Sequence, residues 1–269
     1  MIGLFKKGCK NGKMTPIQII VLDKLRATSQ KLVEWLKKEI SNYNQFLINL
    51  PEAINLLLYK YINQKITIDE FWEKWKDLLN IDDHFIRALR YRFDPIIENL
   101  PLLCYTQPDI EIVAYQDNYH FEVLEKLKED LFFMTFRTRS TGKIKLNEWM
   151  DFLYNDYELS KSFKYRNIKN ILETLNKNKN SFILYEGFAK DLKEILEKSG
   201  YKSKIRYMNN YYRSPLEILS YLISLKGIEN ISKKHIEACI KEYLNYIDYV
   251  LLSPSLDKAH EQWVSKFKK

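Results

Sequence analysis

Residues 181–208, SFILYEGFAKDLKEILEKSGYKSKIRYM, constrain the fold more than any other stretch of the chain. An apolar run leads into a Glu-Gly pair, then apolar residues at helical spacing, a Ser-Gly pair and a second alternating run. That order predicts strand, helix, strand. A similar order occurs about 71 residues earlier, where IEIVAY alternates like a strand, YHFEVLEKLKED is helical, and LFFMTFRTR offers a strand of Thr and aromatic residues. Ile112 then falls against Ile183, Leu124 against Ile195 and Phe136 against Tyr207. Either two strand–helix–strand units each lay a helix on a sheet face, or two amphipathic segments coincide.

Upstream the signals are helical. Thr15-Pro16 is an N-cap followed by proline at the first helical position, and apolar residues recur from Ile20 to Ile40, predicting one long helix to about Leu47. Pro51 opens a second helix. Thr67 and Glu70 form a capping-box pattern before FWEKWKDLL, and DDHFIRALRYRF gives a further helix stopped near Pro95. Phe71 and Trp75, four apart, share a helix face that Trp72 borders, and all three are assigned to the core. The chain thus divides into a flexible basic arm (1–14), a helical module (15–100) and an α/β part (101–269), with the boundary at the two prolines of LPLLCYTQPD. Past the sheet units, Ser214-Pro215 starts a helix that Gly227 ends, and Ser232 caps the next. The expected fold class is mixed α/β (α+β), mainly helical, with an N-terminal helical module followed by a small sheet flanked by helices.

Composition narrows the chemistry. Glycine and proline number seven each in 269 residues, so long loops and glycine-built phosphate cradles have little material. The three cysteines, Cys9, Cys104 and Cys239, show no C-x-x-C spacing, which favours reduced thiols over a zinc site. No apolar run has the length of a signal peptide or a membrane span, so the expectation is a soluble cytoplasmic protein, or a particle component if the source is viral. Abundant Lys and Glu fit a heat-adapted surface.

Charge is the main functional signal. The net charge is +8, and residues 137–213 hold seventeen Lys and Arg against nine Asp and Glu, while the remainder sums to zero. Three strips stand out. Arg137, Arg139, Lys143 and Lys145 surround a turn at Thr141-Gly142. Lys164 and Arg166 lie on a helix start. Lys202, Lys204 and Arg206 alternate on one strand face. Brought to a common side, these would attract a phosphate backbone, with nearby tyrosines to stack on bases. A helix–turn–helix arrangement is also conceivable, with Trp149 and Phe152 anchoring its first helix and residues 163–176 as the reading helix. The function expected is a non-enzymatic binding protein presenting a basic surface to nucleic acid. The alternatives are a self-associating structural component, such as a virion protein, and an enzyme of unrecognised type. Nucleic acid and further copies of the chain are the expected partners; no cofactor or metal is.

Catalytic patterns fall short of their requirements. LYEGFAKDLKEIL resembles the strand–Glu–Gly–helix segment of toprim domains, which implies a magnesium site. That site also needs a D-x-D pair, and none follows. Gly187 is read instead as a turn residue, with Glu186 capping or facing the helix start. Pro108-Asp109 resembles the start of a PD-(D/E)xK nuclease motif, but LFFMTFRTR supplies no acidic-x-Lys. Asp82, Asp83 and His84 splay around a helix and suit its start, not a metal. Gly142-Lys143 lacks the leading glycine of a phosphate loop, since position 137 is Arg.

Overall fold

The computed structural model describes residues 16–267, so the basic arm at 1–14 lies outside the described residues. Its framework is a five-stranded sheet in the order β3-β2-β4-β1-β5, with every pairing parallel. The strands are β1 (Ile17–Val21), β2 (Gln45–Pro51), β3 (Glu111–Gln116), β4 (Ser181–Tyr185) and β5 (Ser203–Tyr207). The mixed, mainly helical α/β class stands: a small parallel sheet is flanked by helices.

Between the strands run α1 (Arg26–Glu39), α2 (Asn55–Ile62), α3 (Ile68–Leu79), α4 (Asp83–Ile97) and α5 (Leu100–Thr106), then α6 (Asn118–Thr141), α7 (Leu146–Thr174) and α8 (Ala189–Lys198). α9 (Pro215–Lys226), α10 (Lys233–Leu252) and α11 (Leu256–Ser265) close the chain.

The two central strands are buried on both faces, and their side chains alternate between two cores. Phe182 and Leu184 of β4 join Ile20, Phe46 and Ile48 beneath α1 and the α2–α5 helices. Ile183 and Tyr185 face the other way, with Ile17, Ile19, Leu47 and Tyr115, against the last turns of α7 and against α8. A third core, around Trp149, Leu219, Ile236, Ile240 and Trp263, binds the first half of α7 to α9, α10 and α11.

Several expectations are corrected. No single helix runs to Leu47: IQIIV forms β1, and residues 45–51 form β2. Residues 15–100 are therefore not helical throughout, and their two strands pair in one sheet with strands from beyond residue 100. A central parallel strand is apolar on both faces, so it shows no alternation to separate it from a helix. Pro51 ends β2 and also caps a 3-10 turn, Glu52–Ile54, that leads straight into α2, while α4 runs through Pro95 to Ile97.

LFFMTFRTR is helix, the last part of the 24-residue α6. Its threonines satisfy themselves on their own helix: the hydroxyls of Thr135, Thr138 and Thr141 donate to the carbonyls of Leu131, Met134 and Arg137 at 2.7, 2.7 and 2.8 Å. The 71-residue repeat thus loses its third member, while 181–208 folds as β4, α8 and β5. α7 is continuous for 29 residues, which leaves no turn for a helix–turn–helix.

Local punctuation holds elsewhere. Thr67 and Ser214 make reciprocal capping boxes with Glu70 and Glu217, Asp82 caps α4, and Ser232 caps α10. Phe71, Trp72 and Trp75 are fully buried, with the two indoles stacked 4.8 Å apart.

Phe182 is the hinge of the first core, stacked on Phe46 at 4.2 Å and edge-on to Tyr43 at 5.1 Å. Phe182→Ala should cost about 3–5 kcal/mol, read as a lower denaturant midpoint at unchanged slope.

Candidate functional site

In an open parallel sheet the carboxyl ends of all strands share one edge, where backbone groups run out of partners and polar side chains gather. Here Asp23 follows β1, Asn49 lies near the end of β2, and Glu186 follows β4. Arg92, reaching in from α4, pairs with Glu186 at 2.8 Å, and its side chain is only 12% exposed. Burial would raise the Glu186 carboxyl, but the Arg92 guanidinium and a hydrogen bond with Asn49 hold it below its ordinary value. The Nε and Nη2 groups of Arg92 have no hydrogen-bond partner among the described residues. Glu186 therefore does not cap α8, whose N-cap has no side-chain hydrogen bond. Gly187, at φ +143°, makes the turn; a Cβ there would meet the Tyr185 ring at 3.2 Å.

Beside it the C-terminal helices lock onto the start of α1. The Asp257 carboxylate of α11 accepts hydrogen bonds from the amides of Arg26 and Ala27 at 3.2 and 2.9 Å and from the Tyr91 hydroxyl. These are first-turn donors of α1 that have no intrahelical partner, and the helix dipole favours an anion there. Asp23 accepts from the Leu25 amide and the Thr28 hydroxyl, both at 2.8 Å. Glu217 accepts from the Tyr211 hydroxyl at 2.6 Å and the Ser214 amide at 2.8 Å, and pairs with Lys24 at 3.2 Å. Burial opposes its ionisation, but these partners carry its pKa down to about 2. His260, 5% exposed, stacks on Tyr211 at 4.8 Å with neither ring nitrogen hydrogen-bonded. Burial lowers its pKa against the pull of Glu217, Asp23 and Asp257.

At the β3 end His120 is held neutral. Asn167 and Gln116 amides donate to its Nδ1 at 3.1 and 3.2 Å, and its ring stacks on Phe163 at 4.3 Å. Desolvation lowers its pKa to about 4, more than the raising influence of Glu186 and Asp117.

The chemistry available at this edge follows from these contacts. The carboxylates of Asp23, Glu186, Glu217 and Asp257 already accept from internal donors, which makes the edge a seam between the sheet and the C-terminal helices. Cys104 adds no nucleophile, because burial pushes its thiol up to about 11. Among the described residues no group of three or more His, Cys, Asp or Glu is placed to hold a metal ion, and no helix is long and apolar enough to cross a membrane.

The cations singled out from sequence are dispersed. Arg137 and Lys145 both pair with Glu148, Arg139 pairs with Asp248 of α10, and Lys164 pairs with Asp191 of α8. Arg137 and Arg139 lie on α6, not on a strand. Arg166 lies over the Phe163 ring at 5.7 Å, and Lys143 is exposed in the turn after α6. Lys204 and Arg206 do share one side of β5, an edge strand, with Lys202 exposed just before it, and Arg206 covers Trp35 of α1 at 5.2 Å. Lys164 bonds to α8 on the opposite side of the sheet from α1, so these two strips face apart.

Sequence reasoning missed Arg92, Asp23, Asn49, Asp257, Glu217 and His260. The signal that would have found the strand-end members is a polar residue at the close of an apolar run, as in IQIIVLD and FLIN. No family model, no curated protein and no solved structure matches this chain.

Two measurements test the wiring. Arg92→Leu strands the Glu186 charge and should cost about 3–5 kcal/mol, whereas Arg92→Leu with Glu186→Leu should recover most of that loss in denaturant unfolding. For His120, the folded pKa of about 4 lies below the unfolded 6.5, so the unfolded chain binds the extra proton between them. Its contribution is complete above 6.5 and lost as pH falls toward 4. His120→Gln should remove on the order of 3 kcal/mol of pH dependence across that window, in unfolding curves compared with wild type.

Proposed function

We propose that the protein is a non-enzymatic nucleic-acid-binding protein whose contact surface is the β5 edge together with the adjoining side of α1. One observation carries the reading. Lys204 and Arg206 lie on one side of an edge strand and Lys202 stands just before it, all three exposed and without an acid partner among the described residues. α1 extends that surface. Lys31 donates to Asn209 just past β5 at 3.1 Å, Trp35 lies under Arg206, and Lys38 follows one turn later on the same helix side.

The three cations span roughly 13 Å in a line, at about 3.3 Å per residue. A linear run on an edge suits an extended polyanion better than a small ligand, because each phosphate neutralised releases counterions. The partly exposed Trp35 provides a ring for base stacking. The ion-paired positions Arg137, Arg139, Lys145 and Lys164 contribute less to such a surface, since their charge is already balanced. A self-associating structural component, such as a virus-particle protein, is the second reading; three exposed phenylalanines on α6 favour it.

Fluorescence anisotropy with single-stranded and duplex oligonucleotides across a salt titration tests the first reading. Affinity should fall steeply with salt. Lys204→Ala with Arg206→Ala should weaken binding and reduce the log–log salt slope by about 1.5, while Lys164→Ala, whose charge Asp191 balances, should change little. Absence of binding at low salt, or a double variant that binds like wild type, rules the reading out.

A further inference from the structure

α6 carries three phenylalanines that no part of the described chain covers. Phe132, Phe133 and Phe136 are 64%, 58% and 63% exposed, while Leu127, Thr135 and Thr138 turn the opposite side of the helix inward. Phe132 and Phe136 are one turn apart, with nearly parallel rings at 6.4 Å. Three such rings left in water forfeit apolar burial, and contiguous exposed apolar surface marks an interaction site.

The charges flanking these rings identify the occupant. One turn before them Glu129 and Asp130 are exposed, beside Lys128, whose ammonium turns to the Phe85 ring at 4.0 Å; after them come Arg137 and, one turn past Phe136, Arg139. The order along the helix is therefore acid, ring, base. Glu129, Phe132, Phe136 and Arg139 are spaced i, i+3, i+7 and i+10, the seam spacing of paired helices. Laid antiparallel on a second copy of itself, such a helix sets its rings against the partner's rings and its acidic end against the partner's basic end, twice over, which is the self-complementarity a two-fold interface requires. Lys126, also exposed, would meet the partner only beyond Thr141, where α6 has ended.

A groove of about 550 Å³ between α6 and α7, lined by Phe133, Met134, Phe136, Arg137 and Phe152 among others, lies beside the rings and can seat a partner side chain. Arg137 and Arg139 keep internal partners in Glu148 and Asp248, so they would be shared across the seam rather than withdrawn from these acids.

We propose that the exposed side of α6 is a homodimer interface, in which α6 packs antiparallel against α6 of a second copy through Phe132, Phe133 and Phe136, with Glu129 and Asp130 opposite the partner's Arg137 and Arg139. A single pair of helices plus a groove is a small interface, of the size class of transient contacts. The proposal is independent of nucleic-acid binding by β5, which lies on other elements.

Sedimentation velocity over about two decades of concentration tests it, with circular dichroism to verify that each variant is folded. Wild type should shift from monomer to dimer. Phe132→Ser with Phe136→Ser, both at exposed positions, should weaken association at least tenfold. Charge reversal gives the directional readout: Glu129→Arg alone places like charges opposite each other at both ends of the seam, and so does Arg139→Glu alone, so each should be monomeric. Mixing the two variants restores opposite charge at both ends, and the mixture should form a heterodimer. A wild type that stays monomeric throughout, phenylalanine variants that dimerise as wild type does, or charge variants that do not associate on mixing would each overturn the proposal.

Discussion

Every strand of this sheet runs in the same direction, and most of the molecule follows from that constraint. Parallel neighbours cannot be joined by a tight turn, so each strand must be followed by a helical crossover that returns the chain to the starting edge. The chain between β1 and β2 passes over β4, and that between β4 and β5 passes over β1. The crossovers cover both faces, which is why β1, β2 and β4 are apolar along nearly their whole length and why the two cores meet only through the sheet.

The same constraint concentrates the polar residues. All five strands end at one edge, and the unpaired backbone and side-chain groups there must be satisfied by something. The chain satisfies them from within: Arg92 balances Glu186, Asp257 takes the first amides of α1, and Glu217 collects Tyr211, Ser214 and Lys24. The C-terminal helices are thereby fastened beside the sheet by part-buried, charge-assisted hydrogen bonds, which are stronger than neutral ones. Charge left uncompensated lies elsewhere, on the β5 margin, where lysines also blunt an exposed strand edge.

Elements that carry their own chemistry were legible in the sequence. Capping boxes at Thr67 and Ser214 depend on residues three apart, and the β4–α8–β5 unit is bounded by turn residues at Gly187 and Gly200, so local pattern sufficed. β1 was unreadable for the opposite reason: its identity as a strand depends on β4 and β5, more than 150 residues away. The end of α6 misled because Thr and Phe favour strands in general, and only the hydroxyl-to-carbonyl bonds along the helix show how the threonines are accommodated. The strand-end site was obscured because Arg92 and His260 come from helices whose approach to the sheet no local pattern encodes. Of the basic strips, the β5 alternation was correctly placed on one side of a strand, but no sequence signal told which lysines and arginines had acids waiting across the fold.

The position of β1 has a consequence for how the chain is made. Of the five strands of this sheet β1 is the first to leave the ribosome, yet both of its neighbours belong to the last third of the sequence. Until residues 181–207 emerge, its five residues, four of them apolar, have no backbone partner, and β2 and β3 can pair only with each other. The amides of Arg26 and Ala27 wait longer still, for a carboxylate some 230 residues downstream. A nascent chain of this protein thus carries an unpaired apolar strand through most of its synthesis, and the sheet closes only when β4 enters its centre.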